Sequence, residues 1–306
     1  MNNKILIANT GEDSLTLIDL KNGFKTKTIF LSELIKENDE IQKNDHFGPF
    51  NMEQSKDGHI IITNSYDNSI IKIDLENIKL LKYIKVGRNP TVVRRFKEKI
   101  FVANTDSNSI SVLDDENFTL IEDISVGEKP TDIQIDKENS KLFVANGNCY
   151  TINVLDLKSE KISAITIGTQ PLKIIIEGEK IFVLSYINNG VTNYSNLSEL
   201  SIEDSQIKMS IDLRGIFDNI IKIKFNNIFY LSNVDDGCIY RVLTDKDINI
   251  SKIYLGGMPS TMKWDGKNKI YITNIFNNEL RIIDILNNQI IKTLKVGKEP
   301  NGILLL

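Results

Sequence analysis

The sequence predicts an all-β protein built from one four-stranded antiparallel unit repeated along the chain, and three observations carry that expectation. The first is a recurring hairpin: "KILIANTGEDSLTLIDL" from Lys4, "HIIITNSYDNSIIKIDL" from His59, "KIFVANTDSNSISVLDD" from Lys99 and "KLFVANGNCYTINVLDL" from Lys141. It continues in "KIFVLSYINNGVTNYS" from Lys180, "NIFYLSNVDDGCIYRVL" from Asn227 and "KIYITNIFNNELRIIDI" from Lys269. In each, two apolar alternations flank a cluster of Asn, Asp, Ser and Gly, the pattern of two strands around a turn. The second is a polar pivot at Asn9, Asn64, Asn104, Asn146, Ser185, Ser232 and Asn274. The third is a V-G-x-x-P marker after most copies: "VGRNP", "VGEKP", "IGTQP", "LGGMP" and "VGKEP".

The prolines set the count. All six, Pro49, Pro90, Pro130, Pro171, Pro259 and Pro300, occupy the same place in the repeat. Five neighbouring pairs would be about 40 residues apart but for one double gap, and that spacing is the length of a propeller blade. Asp218 of "RGIFDN" stands where the seventh proline is expected. Proline suits the first residue of a strand, which need not donate to the ladder.

Each unit then reads in order. After the proline comes an inner strand such as "TDIQID"; turns such as "SKDG", "KENS" and "DGKN" lead to the second strand. The polar cluster joins second to third, and the third commonly ends in aspartate: Asp19, Asp74, Asp114, Asp156 and Asp284. Those aspartates are expected to form Asx-type turns rather than a catalytic series. An outer strand runs on into the next marker. The chain opens on a second strand and closes on a lone inner strand, "PNGILLL", so the last strand should complete the first blade. The expected fold is a seven-bladed β-propeller in one domain, 1–306, with blades at 300–306 plus 1–31, 49–87, 90–127, 130–168, 171–214, 217–256 and 259–297.

"FVANT", "IITNS" and "YITNI", followed by V-G-x-x-P, resemble the YVTN-repeat β-propellers of bacteria and archaea, within the WD40-like group, over essentially the whole chain. Departures are "FVLSY" and "FYLSN" in blades five and six, the lost proline at Asp218, and two insertions. WD40 repeats proper place Trp-Asp at the end of the third strand, whereas Trp264-Asp265 here ends an inner strand.

Composition narrows the function. With 41% hydrophobic and 25% charged residues the chain can bury a full core, and a net charge of -4 offers no basic bias toward nucleic acid. No stretch has the ~18 apolar residues of a membrane helix. "MNNKILIANTGEDS" has neither a long apolar run nor a small-residue cleavage site, so no signal peptide and a cytoplasmic location are expected. Cys149 and Cys238 form neither a disulfide framework nor a metal knuckle.

Candidate binding residues fall on the rim carrying the second-to-third-strand turns. Both insertions reach it: residues 32–47, and part of "SYINNGVTNYSNLSELSIEDSQIKMS". Irregular loops on a regular scaffold commonly carry function. Aromatics gather there as well: Phe47, Phe50, Tyr66, Tyr186, Phe217 and Phe276. Along the inner strands, residues three and five beyond each proline or beyond Asp218 are largely apolar and should pack between blades. Residues two and four are mixed and should line a wet channel, with Arg94, Lys173, Lys222 and Lys263 against Glu53 and Asp132. That basic excess in an acidic protein points to an anionic group, met by His46, Phe47, Phe50, Tyr66, Arg94, Lys173, Tyr186, Lys222 and Lys263.

Catalytic signals are sparse. His46 and His59 fall on opposite rims, which excludes a shared His site, and no nucleophile motif accompanies either. The expectation is a non-catalytic propeller binding a small molecule, protein or peptide, without cofactor. The alternative is a metal-dependent lactonase or lyase holding Ca²⁺ or Mg²⁺ on Asn51, Glu53, Asp132, Asn219 and Asn301, whose oxygens suit hard cations.

Overall fold

The computed structural model describes residues 3–35, 46–188, 190, 192–224, 226–245 and 247–306. The regular alternation becomes seven four-stranded antiparallel sheets, the seven-bladed β-propeller class. Pro300–Leu305 is the inner strand of the sheet completed by Lys4–Asn9, Ser14–Asp19 and Lys25–Phe30. Ile5 lies opposite Leu305 and Ile7 opposite Ile303, as the closure reading requires. Most of insertion 32–47 lies outside the described residues; Leu31–Leu34 form a single helical turn before it. No helix among the described residues is long and apolar enough to cross a membrane.

The chain divides into two compact units, residues 1–124 with 261–306, and residues 125–260. In the first unit, apolar faces of neighbouring sheets meet: Leu6, Leu15, Leu31 and Phe47 pack with Met52, Ile60 and Ile62. Ile61, Val93, Ile100 and Val102 form a further layer. In the second unit, Phe143, Ile152, Ile174 and Val183 form one layer, and Phe182, Leu197, Phe217, Phe229 and Tyr240 another.

The two sequence markers prove to be halves of one contact. In the first unit, the Asn104 amide donates to Ser109 Oγ at 3.1 Å and Ser111 Oγ at 2.8 Å. Its side chain lies on Gly87, where a Cβ would come within 2.6 Å of Asn104 Cγ. Asn9 repeats the arrangement with Ser14, Thr16 and Gly297. In the second unit, Asn146 bonds Thr151 and Asn153 and lies against Gly127, and Asn233 lies against Gly215. The pivot asparagine therefore needs a residue with no side chain at the glycine of V-G-x-x-P.

The prolines open the inner strands as expected. Pro90 lies opposite Asn104, Pro130 opposite Asn146 and Pro171 opposite Ser185, each followed by a register shift that leaves the next residue as a bulge. In the sixth blade the equivalent pair is Phe217 with Asn233. The sequence alignment there, on Asp218 and Ser232, is off by one. Gly215 precedes Phe217 by two residues, whereas Gly87 precedes Pro90 by three, so the connection is one residue shorter. Because side chains alternate, that slip exchanges the two faces. Lys222 moves to the face packed between sheets.

The turn aspartates behave as expected. Asp19 accepts from Lys21 N and Asn22 N, Asp74 from Glu76 N and Asn77 N, and Asp156 from Lys158 N and Ser159 N. Asp114 and Asp284 accept from the backbone two residues on.

A buried ion cluster joins the second and third sheets within the first unit. Lys72 Nζ, on a side chain 5% exposed, lies 2.8 Å from Asp57 Oδ2 and donates to the Asp115 carbonyl at 3.1 Å. Lys56 N donates to Asp115 Oδ2 at 2.9 Å. Burial works against ionising Asp57, but hydrogen bonds from Lys72, Ser55 and His59 outweigh it and hold its carboxyl well below the usual range.

Two outcomes follow from these contacts. Gly87→Ala should cost about 1–3 kcal/mol in chemical denaturation, since a methyl there overpacks a buried, hydrogen-bonded amide. Combined with Asn104→Ala, the two losses should fall short of additive, because one change removes the atom the other strikes. Separately, Asp57 is depressed in the folded state, so its stabilisation is complete above its unfolded pKa of about 3.9 and is lost as pH falls through the folded value. Melting temperatures recorded against pH should therefore decline less steeply below pH ~4 for Asp57→Asn than for the wild type.

Candidate functional site

The inner strands carry most of the polar residues singled out by sequence, and the fold uses them between sheets. In the first unit, Asn51 Oδ1 accepts from Val93 N at 3.1 Å and from Arg94 at 3.3 Å. Arg94 also donates to the Val93 carbonyl at 2.9 Å. Asn301 donates to Thr10 Oγ1 at 2.8 Å, and Glu53 Oε1 accepts from Gln54 N. Lys263 is half-buried on the inner strand Pro259–Trp264. In the second unit, Asp132, 3% exposed, accepts from Ile174 N at 3.1 Å, and Lys173 Nζ donates to the Thr131 carbonyl at 3.4 Å. Asn219 is half-buried on the strand Phe217–Ile223.

Lys222 shows the effect of the register slip most directly. Its side chain, 6% exposed, pairs with Glu177 at 2.6 Å and lies over the Phe182 and Phe229 rings at 5.4 and 5.8 Å. It is a packed ion pair within the second unit. Among the described residues no three His, Cys, Asp or Glu side chains gather as metal ligands.

The aromatic set also separates. Phe47 and Phe217 are core residues, 2% and 0% exposed. Phe50 and Tyr186 are half-buried, while Tyr66 and Phe276 are 58% and 74% exposed. In the first unit, Asp13 gathers the exit of the insertion: Oδ1 accepts from Phe47 N at 3.0 Å and Gly48 N at 2.7 Å, and Oδ2 lies 3.1 Å from His46 Nδ1. Burial and the charges of Glu299 and Asp13 push the Tyr66 phenol up. This part of the rim is acidic, which opposes an anion.

A concave site occupies the corresponding rim of the second unit. A cavity of about 450 Å³ is lined by Thr192, Asn193, Arg214, Gly215, Asn233, Asp235, Asp236, Tyr240 and Lys252. That volume lies in the range of small-molecule pockets. One wall is fixed by packing and hydrogen bonds. Tyr240 stacks edge-on against Phe217 at 4.7 Å and donates to Asp236 Oδ2 at 2.7 Å. Lys252 donates to the same oxygen at 3.1 Å and lies 4.3 Å above the Tyr240 ring. Burial raises the Asp236 pKa, but the Tyr240 and Lys252 hydrogen bonds outweigh it and hold the carboxyl low; burial pushes Tyr240 up.

Two further lining residues, Asp235 and Arg214, are less committed. Asp235, exposed, accepts at Oδ2 from Ile216 N at 2.9 Å, leaving Oδ1 without a hydrogen-bond donor among the described residues. Arg214, exposed at the end of the outer strand Ile207–Arg214, has its guanidinium in no hydrogen bond or ion pair with the described residues. Tyr186, one of the expected site residues, donates to pocket-lining Asn193 at 2.7 Å.

Sequence reading missed Arg214, Asp235, Asp236, Tyr240 and Lys252. A signal was present: Asn193 follows the blade-five insertion, and Arg214-Gly215 replaces the regular V-G-x-x-P connection. The pocket lies where the repeat is broken.

No protein-family model matches the chain, and no curated protein sequence matches it. Solved structures share its fold. A Bacteroides fragilis protein described as a candidate 6-phosphogluconolactonase is 12% identical with a TM-score of 0.75, covering 100% of this chain and 98% of its own. Virginiamycin B lyase from Staphylococcus aureus is 13% identical with a TM-score of 0.70, covering 89% of this chain and 88% of its own. The WD40 repeats of RRP9 are 12% identical with a TM-score of 0.68, covering 88% of this chain and 83% of their own. These likenesses define a β-propeller with WD40-like neighbours. At such identities they speak for fold alone.

The use of Asp132 as a tie between sheets has a measurable consequence. Asp132→Ala leaves the buried Ile174 N–H unpaired and should cost about 1–3 kcal/mol. The melting temperature of the wild type should be unchanged by a chelator of divalent cations, a result that a metal-ligating Asp132 would reverse.

Proposed function

We propose that this chain is a non-catalytic propeller of the YVTN-repeat type that binds a small anionic ligand on the second-to-third-strand rim of its second unit. The observation carrying this reading is the guanidinium of Arg214, which lines the pocket and has no partner among the described residues. Arg94, Lys173 and Lys222, the bases expected to serve this purpose, are engaged by protein groups. Arginine presents planar paired donors suited to a carboxylate or phosphate. Tyr240, Lys252 and Asp236 are already fixed to one another, so little ordering of these side chains is required on binding. The lactonase or lyase reading draws on fold likeness, while two of its oxygen ligands, Asn51 and Asp132, are occupied in bonds to neighbouring strands.

Titration of the wild-type chain with propionate and with inorganic phosphate, followed by amide NMR, tests the proposal. Shifts should concentrate at residues 192–193, 214–216 and 233–237 and weaken as ionic strength rises. Arg214→Gln should weaken binding about tenfold or more, the scale of one charge-assisted hydrogen bond, with an unchanged melting temperature. Equal affinity in wild type and variant, or no binding of either anion, would overturn the reading.

A further inference from the structure

The pocket holds a second uncommitted charge, and of the opposite sign. Its four ionic side chains sort into two kinds. Asp236 and Lys252 neutralise each other through a direct bond of 3.1 Å and are further fixed by Tyr240. Arg214 and Asp235 line the same cavity but form no ion pair with each other or with any other described side chain. The main chain holds Asp235 in place: its N–H donates to Asn233 Oδ1 at 2.9 Å and its Oδ2 accepts from Ile216 N. One carboxylate oxygen remains for a ligand.

The backbone ties the segments carrying these two residues together. Gly215 sits at φ +111°, and a Cβ there would strike Asn233, so the connection after Arg214 turns sharply under the Asn233 side chain. Asn233 in turn accepts from both Asp235 N and Asp236 N, fixing the acidic turn. The two charges thus sit on segments held against each other, at the rim of one cavity. A simple anion would pair with Arg214 but would meet the Asp235 charge nearby. A simple cation would meet the reverse problem. A ligand carrying both signs pairs with both groups at once.

We infer that the pocket recognises a small zwitterion, its carboxylate on Arg214 and its ammonium on Asp235. This rests on the anion-binding reading of Arg214 and adds the second point of recognition. A ligand of this class is a free amino acid in which the spacing between ammonium and carboxylate matches the two anchors.

The ω-amino acid series measures that spacing. Glycine, β-alanine, 4-aminobutyrate and 6-aminohexanoate are titrated against the wild-type chain by calorimetry at low ionic strength, beside acetate, propionate, butyrate and hexanoate. At least one amino acid should bind tenfold or more tightly than the carboxylate of equal length, with a clear optimum in chain length. Asp235→Asn should remove that advantage while leaving carboxylate binding intact, and Arg214→Gln should remove both. If the carboxylates bind through Arg214 but no amino acid exceeds its partner, or if Asp235→Asn keeps the preference, the zwitterion inference fails and anion recognition stands. If no carboxylate and no amino acid binds, both fail together. Unchanged amide spectra outside the pocket in each variant confirm that the fold is retained.

Discussion

The seating of a buried asparagine amide on a glycine is the contact from which much of the repeat follows. Asn9, Asn104 and Asn146 end second strands, bond the hydroxyl or amide groups of third strands, and lie against Gly297, Gly87 and Gly127. One side chain therefore sets the start of the hairpin turn and the path of the connection that leads to the next sheet. An unpaired buried amide donor is costly, so the third strand must supply Ser, Thr or Asn opposite it. A larger residue at the glycine would displace the amide. Two markers that stand well apart in sequence are in this way one constraint in space.

The same economy governs the inner strands. The strands opening on Pro90, Pro130 and Pro171 give no N–H at their first residue and bulge once, and two inner strands direct a polar side chain at the backbone of a neighbour. Asn51 reaches Val93 N, and Asp132 reaches Ile174 N, the same position one sheet on. Where glycine replaces the polar residue, at Gly302, the neighbouring backbone closes in directly, with the Phe50 carbonyl in the space a side chain would need. Asn51 and Asp132, which look like oxygen ligands in sequence, are fasteners between sheets in the structure.

The sixth blade shows why part of the site could not be read from spacing. Repeat spacing, counted back from Pro259, puts Asp218 in the proline position. Phe217 holds it, since the connection is one residue short and Phe217 packs against Tyr240. A single-residue error in a strand reverses every side chain, so Lys222 was assigned to the wet face and is instead buried with Glu177. Likewise Phe47, expected to meet a ligand, is drawn into the core beside Leu31 and Leu34 once Asp13 binds the chain at Phe47 N and Gly48 N.

By itself the sequence determined the strand count, their antiparallel order, the hairpin turns, the Asx role of the aspartates and the closure of the first blade by Pro300–Leu305. These depend on period-two alternation and turn chemistry, which act over a few residues and repeat often enough to correct one another. The tertiary structure alone decided which polar groups remain free. A charge is spent or available according to partners on strands ~40 residues or more away, one repeat along. Arg94, Lys173 and Lys222 found such partners, and Arg214 found none among the described residues. That difference lies in the packing of neighbouring sheets, where the identity of a residue says nothing about what it will face.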